Sequence, residues 1–174
     1  EGILFMLEEE KLARDVYSAL YDKWGLPIFN NIASSEQTHM TDLVLLVERY
    51  GLSNPVTEDN AGVFANQDLK KLYTELTEKG LKSLEDALIV GATIEDLDIA
   101  DLAEQRKASD NDDIAVVYQN LEKGSRNHLR SFTSQLERMG QMYTPQYISK
   151  EYFNATVTSD REIGTMITDP NYQF

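Results

Sequence analysis

The sequence predicts an all-α protein, namely a four-helix bundle with one long crossover between its second and third long helices. Three observations favour this fold. Apolar residues recur at steps of three and four along nearly the whole chain to Met142, which is the spacing of a half-buried helix. Short connections separate the first long helix from the second and the third from the fourth. A much longer connection joins these two hairpins, which is the connectivity of a bundle with a crossover.

The first hairpin is marked by glycine and proline. The first helix is predicted over residues 3–24 and ends at Gly25, and Pro27 shortly after it cannot continue a helix. The second helix is predicted over residues 28–50, and Gly51 directly after it is its stop signal. These stop signals place two antiparallel helices side by side.

The crossover and the second hairpin follow. Segment 52–82 contains an Asn-Pro pair and a short helix at residues 68–79, and its length predicts a crossover. The sequence SLED from Ser83 resembles a capping box that opens the third long helix, predicted to reach Lys107. The polar cluster at residues 110–113 ends that helix and caps the fourth, which continues to Met139 and Gly140.

The last part of the chain lacks a helical period. Residues 143–174 hold aromatic residues, a Thr-Val-Thr run and an Asp-Pro pair. We therefore expect a bundle domain at residues 1–142 and an irregular arm at residues 143–174, packed on the bundle or on a partner.

The composition excludes several classes of function. With 16 Lys and Arg against 30 Asp and Glu the net charge is −14, so a nucleic acid would be repelled. No cysteine is present, which removes disulfides, thiolate zinc sites, iron–sulfur clusters and cysteine nucleophiles. No run approaches the ~18–20 apolar residues of a membrane span. The chain opens at Glu1 inside a helical pattern, so we expect an upstream segment to have been removed, and both a cytoplasmic and an exported location stay open.

Ionisable groups interrupt the predicted core face of every long helix. These groups are Glu10 on the first helix, Glu36 and His39 on the second, Glu95 and Asp98 on the third, and His128 on the fourth. The only two histidines of the chain both fall at such positions. Burying an unpaired charge costs several kcal/mol or more, so we expect these groups to be paired or to bind a metal.

The turns allow a test of whether these groups are level with one another. Residues level across an antiparallel hairpin lie equally far from its turn. The midpoint between Glu95 and His128 falls inside the turn at residues 110–113, and that between Glu10 and His39 falls at the first turn. Glu36 lies less than one helical turn from the position that is level with Glu10 across the first hairpin. The five groups expected at one level of the bundle are therefore Glu10, Glu36, His39, Glu95 and His128.

Oxygen and imidazole ligands without thiolate suit iron, manganese or zinc. Carboxylates and histidines from facing helices are typical of di-iron or di-manganese carboxylate sites. Other interpretations stay open from the residues alone. Glu36 and His39 could form a surface pair, His128 could be a hydrogen-bonded core histidine, and Asp98 could be a ligand or one more acidic surface group. Tyr17 is either a core residue or a hydroxyl beside a ligating carboxylate.

The motifs carry a resemblance to a known family. The sequence EKLARDVY (residues 10–17) looks like the first helix of rubrerythrin-type proteins, and SSEQTHM (residues 34–40) resembles their Glu-x-x-His motif. With GATIEDLDIADL (residues 91–102) and GSRNHLRSF (residues 124–132), the chain resembles an uncharacterised bacterial and archaeal branch of the ferritin-like superfamily. The resemblance covers about residues 1–147.

The resemblance implies a role for each candidate ligand. Glu10 would be a terminal carboxylate, Glu36 a bridging carboxylate and His39 a terminal imidazole. Glu95 would be the carboxylate of the third long helix, and His128 the imidazole of the fourth. These roles describe one or two bound iron ions, with manganese or zinc as alternatives.

The chain departs from the family pattern at Ser125, where the second Glu-x-x-His motif would have a bridging glutamate. Asp98, water or an exogenous anion would have to compensate. The resemblance implies a non-haem iron oxidoreductase of ferroxidase or peroxidase type, with oxygen or peroxide as substrate, and a homodimer. The alternative is a non-catalytic binding module that a closed single-metal site stabilises and whose C-terminal arm engages a partner. A metal-free bundle with a buried Glu–His network is the third interpretation.

Overall fold

A computed structural model describes residues 1–166 of the chain, and within these residues it contains six helices and no strand. The helices are α1 (Gly2–Trp24), α2 (Pro27–Arg49), α3 (Gln67–Gly80), α4 (Leu84–Ala108), α5 (Asp112–Arg138) and α6 (Lys150–Thr158). The predicted all-α class is confirmed, and each predicted helix ends within a few residues of its observed counterpart. The arrangement of the four long helices as one bundle stays a prediction. The end of the predicted arm, residues 167–174, lies outside the described residues.

The chain divides into two compact units, Glu1–Val90 and Gly91–Phe174. The first unit contains α1, α2, α3 and the start of α4. The second contains the rest of α4 with α5 and α6. No helix of the described part of the chain is both long and apolar enough to cross a membrane.

In the first unit, α1 and α2 form the predicted hairpin. Gly25 ends α1 in the left-handed conformation with φ 63°, which glycine adopts without a steric penalty, and its N–H donates to Tyr21 O at 2.7 Å. Pro27 then occupies the first turn of α2, where its missing N–H costs nothing. Leu7 and Leu20 in the apolar stripe of α1 are completely buried.

The crossover is bound to α1 by buried charged groups. The Nζ atom of Lys11 donates to Asp15 Oδ2 at 2.5 Å and to the carbonyl of Asn60 at 2.8 Å. The same Asp15 oxygen accepts the backbone N–H of Gly62 at 3.1 Å. Because Lys11 and Asp15 are both buried, this network satisfies charges that would be costly alone. The crossover therefore packs on α1 through polar contacts that the apolar pattern of the sequence does not report.

In the second unit, α4 approaches α5 closely at a glycine. A Cβ atom added at Gly91 would lie 2.4 Å from Cε1 of Phe132, far inside contact distance. Phe132 is itself completely buried on α5. Only glycine therefore allows the aromatic ring to pack against the backbone of α4 at this point.

The C-terminal arm is not irregular throughout, which corrects the expectation for residues 150–158. Those residues form α6, and Ser149 caps it by accepting the N–H of Tyr152 at 3.1 Å. A helix of nine residues spans fewer than three turns, so its apolar residues repeat too few times to establish a period. The sequence signal that indicates α6 is the capping serine.

One buried carboxylate fixes the start of the arm. Asp96 on α4 is completely buried, and its Oδ2 accepts the hydroxyl of Tyr143 at 2.8 Å and the backbone N–H groups of Gln146 at 2.6 Å and Tyr147 at 3.2 Å. Its Oδ1 accepts the N–H of Ile148 at 2.9 Å. A single side chain thus satisfies three consecutive backbone donors and a phenol. Burial raises the pKa of the Tyr143 hydroxyl above its ordinary value, and the hydrogen bond to Asp96 adds to the rise.

We expect the substitution Asp96→Ala to release this start of the arm. Leaving buried donors without an acceptor costs roughly 1–3 kcal/mol of unfolding free energy for each unsatisfied group. Urea unfolding would measure the loss, and amide hydrogen exchange would show faster exchange at residues 146–148. Glu104→Ala is the control, because Glu104 is an exposed carboxylate on the same helix. Equal stability of the two variants would contradict the anchoring role of Asp96.

Candidate metal centre

In the first unit, two carboxylates converge on one imidazole. The Nδ1 atom of His39 lies 2.7 Å from Oε2 of Glu36 and 3.0 Å from Oε2 of Glu10. Both glutamates are 1% exposed and His39 is 8% exposed. One ligand atom from each residue lies within 4.8 Å of the others. We call these three residues the Glu10–Glu36–His39 cluster.

The helix pattern explains how this cluster forms. Glu36 and His39 are three residues apart, so they share a face of α2 with the buried residues Ile32 and Leu43. Glu10 extends from α1, the partner of α2 in the hairpin. The structure therefore brings together the three candidate residues of the first hairpin, and their role as metal ligands stays a prediction.

Burial and charge set the proton affinities in the cluster. Burial raises the pKa of Glu10 from its ordinary value of 4.5 to about 7, with His39 opposing the rise and Glu36 adding to it. For His39, burial lowers the pKa, but the charges of Glu10 and Glu36 outweigh that effect and raise it well above 6.5. Two acidic groups therefore share a local excess of negative charge that a proton on His39 partly neutralises.

This arrangement fits a divalent cation. An imidazole Nδ1 carries at most one hydrogen, so it cannot donate fully to two carboxylates at once. No hydrogen bond from the described residues reaches the second oxygen of Glu10, Oε1, although it is buried. Oxygen and nitrogen ligands of this kind suit iron, manganese and zinc. A cation would supply the positive charge that the two glutamates lack.

In the second unit, Glu95 and His128 form a pair. The Oε2 atom of Glu95 lies 3.3 Å from Nδ1 of His128, and these residues are 1% and 9% exposed. About one turn after Glu95 on α4 and one turn before His128 on α5, the hydroxyl of Ser125 donates to Oδ2 of Asp98, and both residues are buried. Ser125 thus binds a carboxylate in place of supplying one. The structure places the predicted pair together and gives Asp98 a hydrogen-bonding partner on α5.

The remaining candidate is Tyr17. Its side chain is completely buried in α1, as expected for a core residue. Sequence reasoning missed that Glu8 and Glu9, which precede Glu10, are buried as well. The oxygen atoms of Glu8 accept the N–H groups of Ala65 at 2.5 Å and Asn66 at 3.2 Å. No sequence signal identifies such contacts, because they depend on where the crossover packs.

A second missed cluster surrounds Glu122 on α5. Its Oε2 lies 3.3 Å from Arg106, and its Oε1 lies 3.0 Å from Arg126 and accepts the hydroxyl of Tyr152 at 3.0 Å. The spacing of Glu122 and Arg126, four residues apart, is the one signal that could have indicated an ion pair. Burial of both partners is a result of tertiary packing.

The raised pKa of Glu10 predicts a pH effect on the metal-free protein. Native Glu10 binds its proton with a pKa of about 7, against 4.5 in its ordinary state. The resulting stabilisation is complete below pH 4.5 and is lost as the pH rises through 7. In the presence of a chelator, we therefore expect the Tm of the native sequence to fall from pH 5 to pH 8 more steeply than that of Glu10→Gln. Circular dichroism melts would measure this, and parallel profiles would show that Glu10 does not hold the proton.

Comparisons with known proteins reach nearly the whole chain. The sequence profile of an uncharacterized protein domain family, DUF2202, matches residues 1–160. The uncharacterized protein MJ0754 of Methanocaldococcus jannaschii is 57% identical over 164 residues, which are 94% of this chain and 89% of that protein. A crystal structure of the hypothetical protein MJ0754 from Methanococcus jannaschii DSM 2661 is similar, with a TM-score of 0.92 and 57% identity over 93% of each chain. This similarity supports the all-α fold.

Proposed function

This chain belongs to the DUF2202 family, and we propose that it is a ferritin-like metal-binding protein that holds iron for redox chemistry with oxygen or peroxide. The observation that carries the proposal is the Glu10–Glu36–His39 cluster. Its two buried carboxylates lie within 3.0 Å of one imidazole nitrogen. Such a group is costly without a compensating cation, and its donor atoms match those that iron accepts.

In this proposal Glu10, Glu36 and His39 hold one ion in the first unit, and Glu95 and His128 are the candidate ligands of the second unit. Iron bound by carboxylates and imidazoles supplies one-electron redox chemistry, with manganese or zinc as the alternative ions. The carboxylates balance the charge of the ion, and their burial keeps bulk water away from the donor atoms. Because the pKa of Glu10 and that of His39 are raised, both groups hold a proton more strongly than usual. A metal ion must displace these protons, so binding releases them.

A second candidate function is a binding module that one closed metal site stabilises. The observation that favours it is the hydrogen bond from Ser125 to Asp98. Ser125 stands at the position where the ferritin-like pattern has a second bridging glutamate. With fewer carboxylates available, a single saturated ion would serve structure alone. The two candidates differ in the number of ions for each chain and in the response of those ions to peroxide.

The substitution Glu36→Ala tests both candidates. We expect it to lower the metal content of the purified protein at least tenfold, because it removes one carboxylate and leaves the cluster with two donors. Inductively coupled plasma mass spectrometry of tag-free protein from iron-supplemented medium would measure the content. Glu48→Ala is the matched control, since Glu48 is an exposed glutamate of the same helix.

The outcomes separate the proposals. About two irons for each chain, with a visible absorption change on adding peroxide, would support the oxidoreductase. One ion that ignores peroxide would support the binding module. Native protein without metal, and with the same melting temperature as Glu36→Ala, would overturn both.

A further inference from the structure

A row of polar side chains on α5 binds the chain's own residues 162–166, through their backbone and through the carboxylate of Glu162. We call this row the α5 ladder, and it consists of Asn120, Lys123, Arg126, Asn127 and Arg130. Its two asparagines are seven residues apart, which is about two turns, so they lie on the same face of α5. Neither the apolar pattern nor the metal proposal assigns a role to this face.

Each asparagine pairs with both backbone polar groups of one residue. Asn127 Oδ1 accepts the N–H of Glu162 at 3.0 Å, and its Nδ2 donates to the carbonyl of Glu162 at 3.0 Å. Asn120 Oδ1 accepts the N–H of Met166 at 2.8 Å, and its Nδ2 donates to that carbonyl at 2.9 Å. A side-chain amide that pairs in this way makes the two hydrogen bonds that a neighbouring β-strand would make to the same residue. These contacts recognise extended backbone whatever the side chain.

The spacing of the two pairs matches an extended segment with one bend. Seven helical residues rise about 10.5 Å, while four fully extended residues span about 13 Å. Gly164 lies between the two paired residues at φ 80°, a conformation that shortens the path. Its carbonyl accepts a hydrogen bond from Lys123. The segment therefore follows the ladder from Glu162 to Met166 with a contact at its midpoint.

One side chain of the segment is recognised as strongly as the backbone. The carboxylate of Glu162 accepts two hydrogen bonds from Arg126, at 2.7 and 2.5 Å, and one from Arg130 at 2.9 Å. Paired guanidinium and carboxylate groups give both strength and orientation. By contrast, the side chain of Ile163 is 88% exposed. The ladder thus selects an extended segment with an acidic residue at its first contact.

We propose that the α5 ladder is a binding site for an acidic extended peptide, that residues 162–166 occupy it within the chain, and that the same segment of a second copy binds it between chains. The segment of a second copy offers the same contacts, so exchange requires no new chemistry. Residues 159–161, which connect α6 to the segment, are exposed, so little packing opposes a change in their backbone conformation. The tethered segment competes at millimolar effective concentration, so exchange appears once the internal contact is weakened. This proposal is independent of metal binding.

A labelled peptide tests the site. Fluorescence anisotropy would follow a peptide of residues 160–166 added to the full-length chain. We expect Glu162→Ala to bind the peptide at least tenfold more tightly than the native sequence does, because its own segment no longer holds Arg126 and Arg130. The same peptide with alanine in place of glutamate is the control ligand. Adding Asn120→Ala and Asn127→Ala to that variant should remove binding, with the helical content checked by circular dichroism.

Mixing two full-length variants tests the second copy as occupant. Glu162→Ala offers a ladder whose internal segment is held by backbone contacts alone, and the double variant Asn120→Ala with Asn127→Ala offers a segment that has lost those backbone contacts. Native mass spectrometry should detect mixed complexes at a higher level than when the double variant is mixed with the native sequence. Peptide binding without such complexes would overturn the second copy as the occupant. Equal peptide binding by Glu162→Ala and the native sequence would overturn the site itself.

Discussion

The structure depends on one constraint, which is that charged groups buried between helices must find hydrogen-bond donors or acceptors, partners of opposite charge, or a cation. The Glu10–Glu36–His39 cluster is the sharpest case, because two buried carboxylates share one imidazole nitrogen between α1 and α2. The free energy of burying those charges is large compared with the stability of a domain. A fold that keeps such a cluster needs a compensation that packing alone does not supply. This is the physical basis for proposing a bound metal.

Elsewhere the same constraint is met by protein groups. Lys11 and Asp15 neutralise each other on α1 and hold the crossover through backbone contacts. Glu122 is surrounded by two guanidinium groups and a phenol, and Asp96 accepts four hydrogen bonds from the start of the arm. In each of these networks, protein groups supply the hydrogen-bond donors that the carboxylates require. The Glu10–Glu36–His39 cluster differs in its donor atoms, because two carboxylates and an imidazole converge within 4.8 Å of one another, and such a group of oxygen and nitrogen atoms can also bind a metal ion.

The C-terminal arm shows how polar recognition can replace an apolar core. Asp96 binds its first residues, α6 packs on α5, and the α5 ladder holds residues 162–166. Many of these contacts involve backbone atoms of the arm, and the side chains of Tyr143, Tyr152 and Glu162 add to them. The residues that bind the arm and position it are the asparagines and arginines of the α5 ladder and Asp96 on α4. A segment bound through its backbone and a single carboxylate is also a segment that an equivalent peptide can replace.

The sequence by itself determined the all-α class, the bounds of the first five helices and the candidate ligands, because helical period, glycine stops and capping residues are local signals. The Glu-x-x-His spacing and the position of Gly25 were sufficient to place Glu10, Glu36 and His39 on facing helices. Tertiary structure alone decided that Asp96 anchors the arm and that Ser125 binds Asp98. Such contacts join residues far apart in the chain, and their energies depend on burial, which a local pattern does not encode. Acidic residues with the same local signature, Asp96 and Glu104, therefore end in opposite environments.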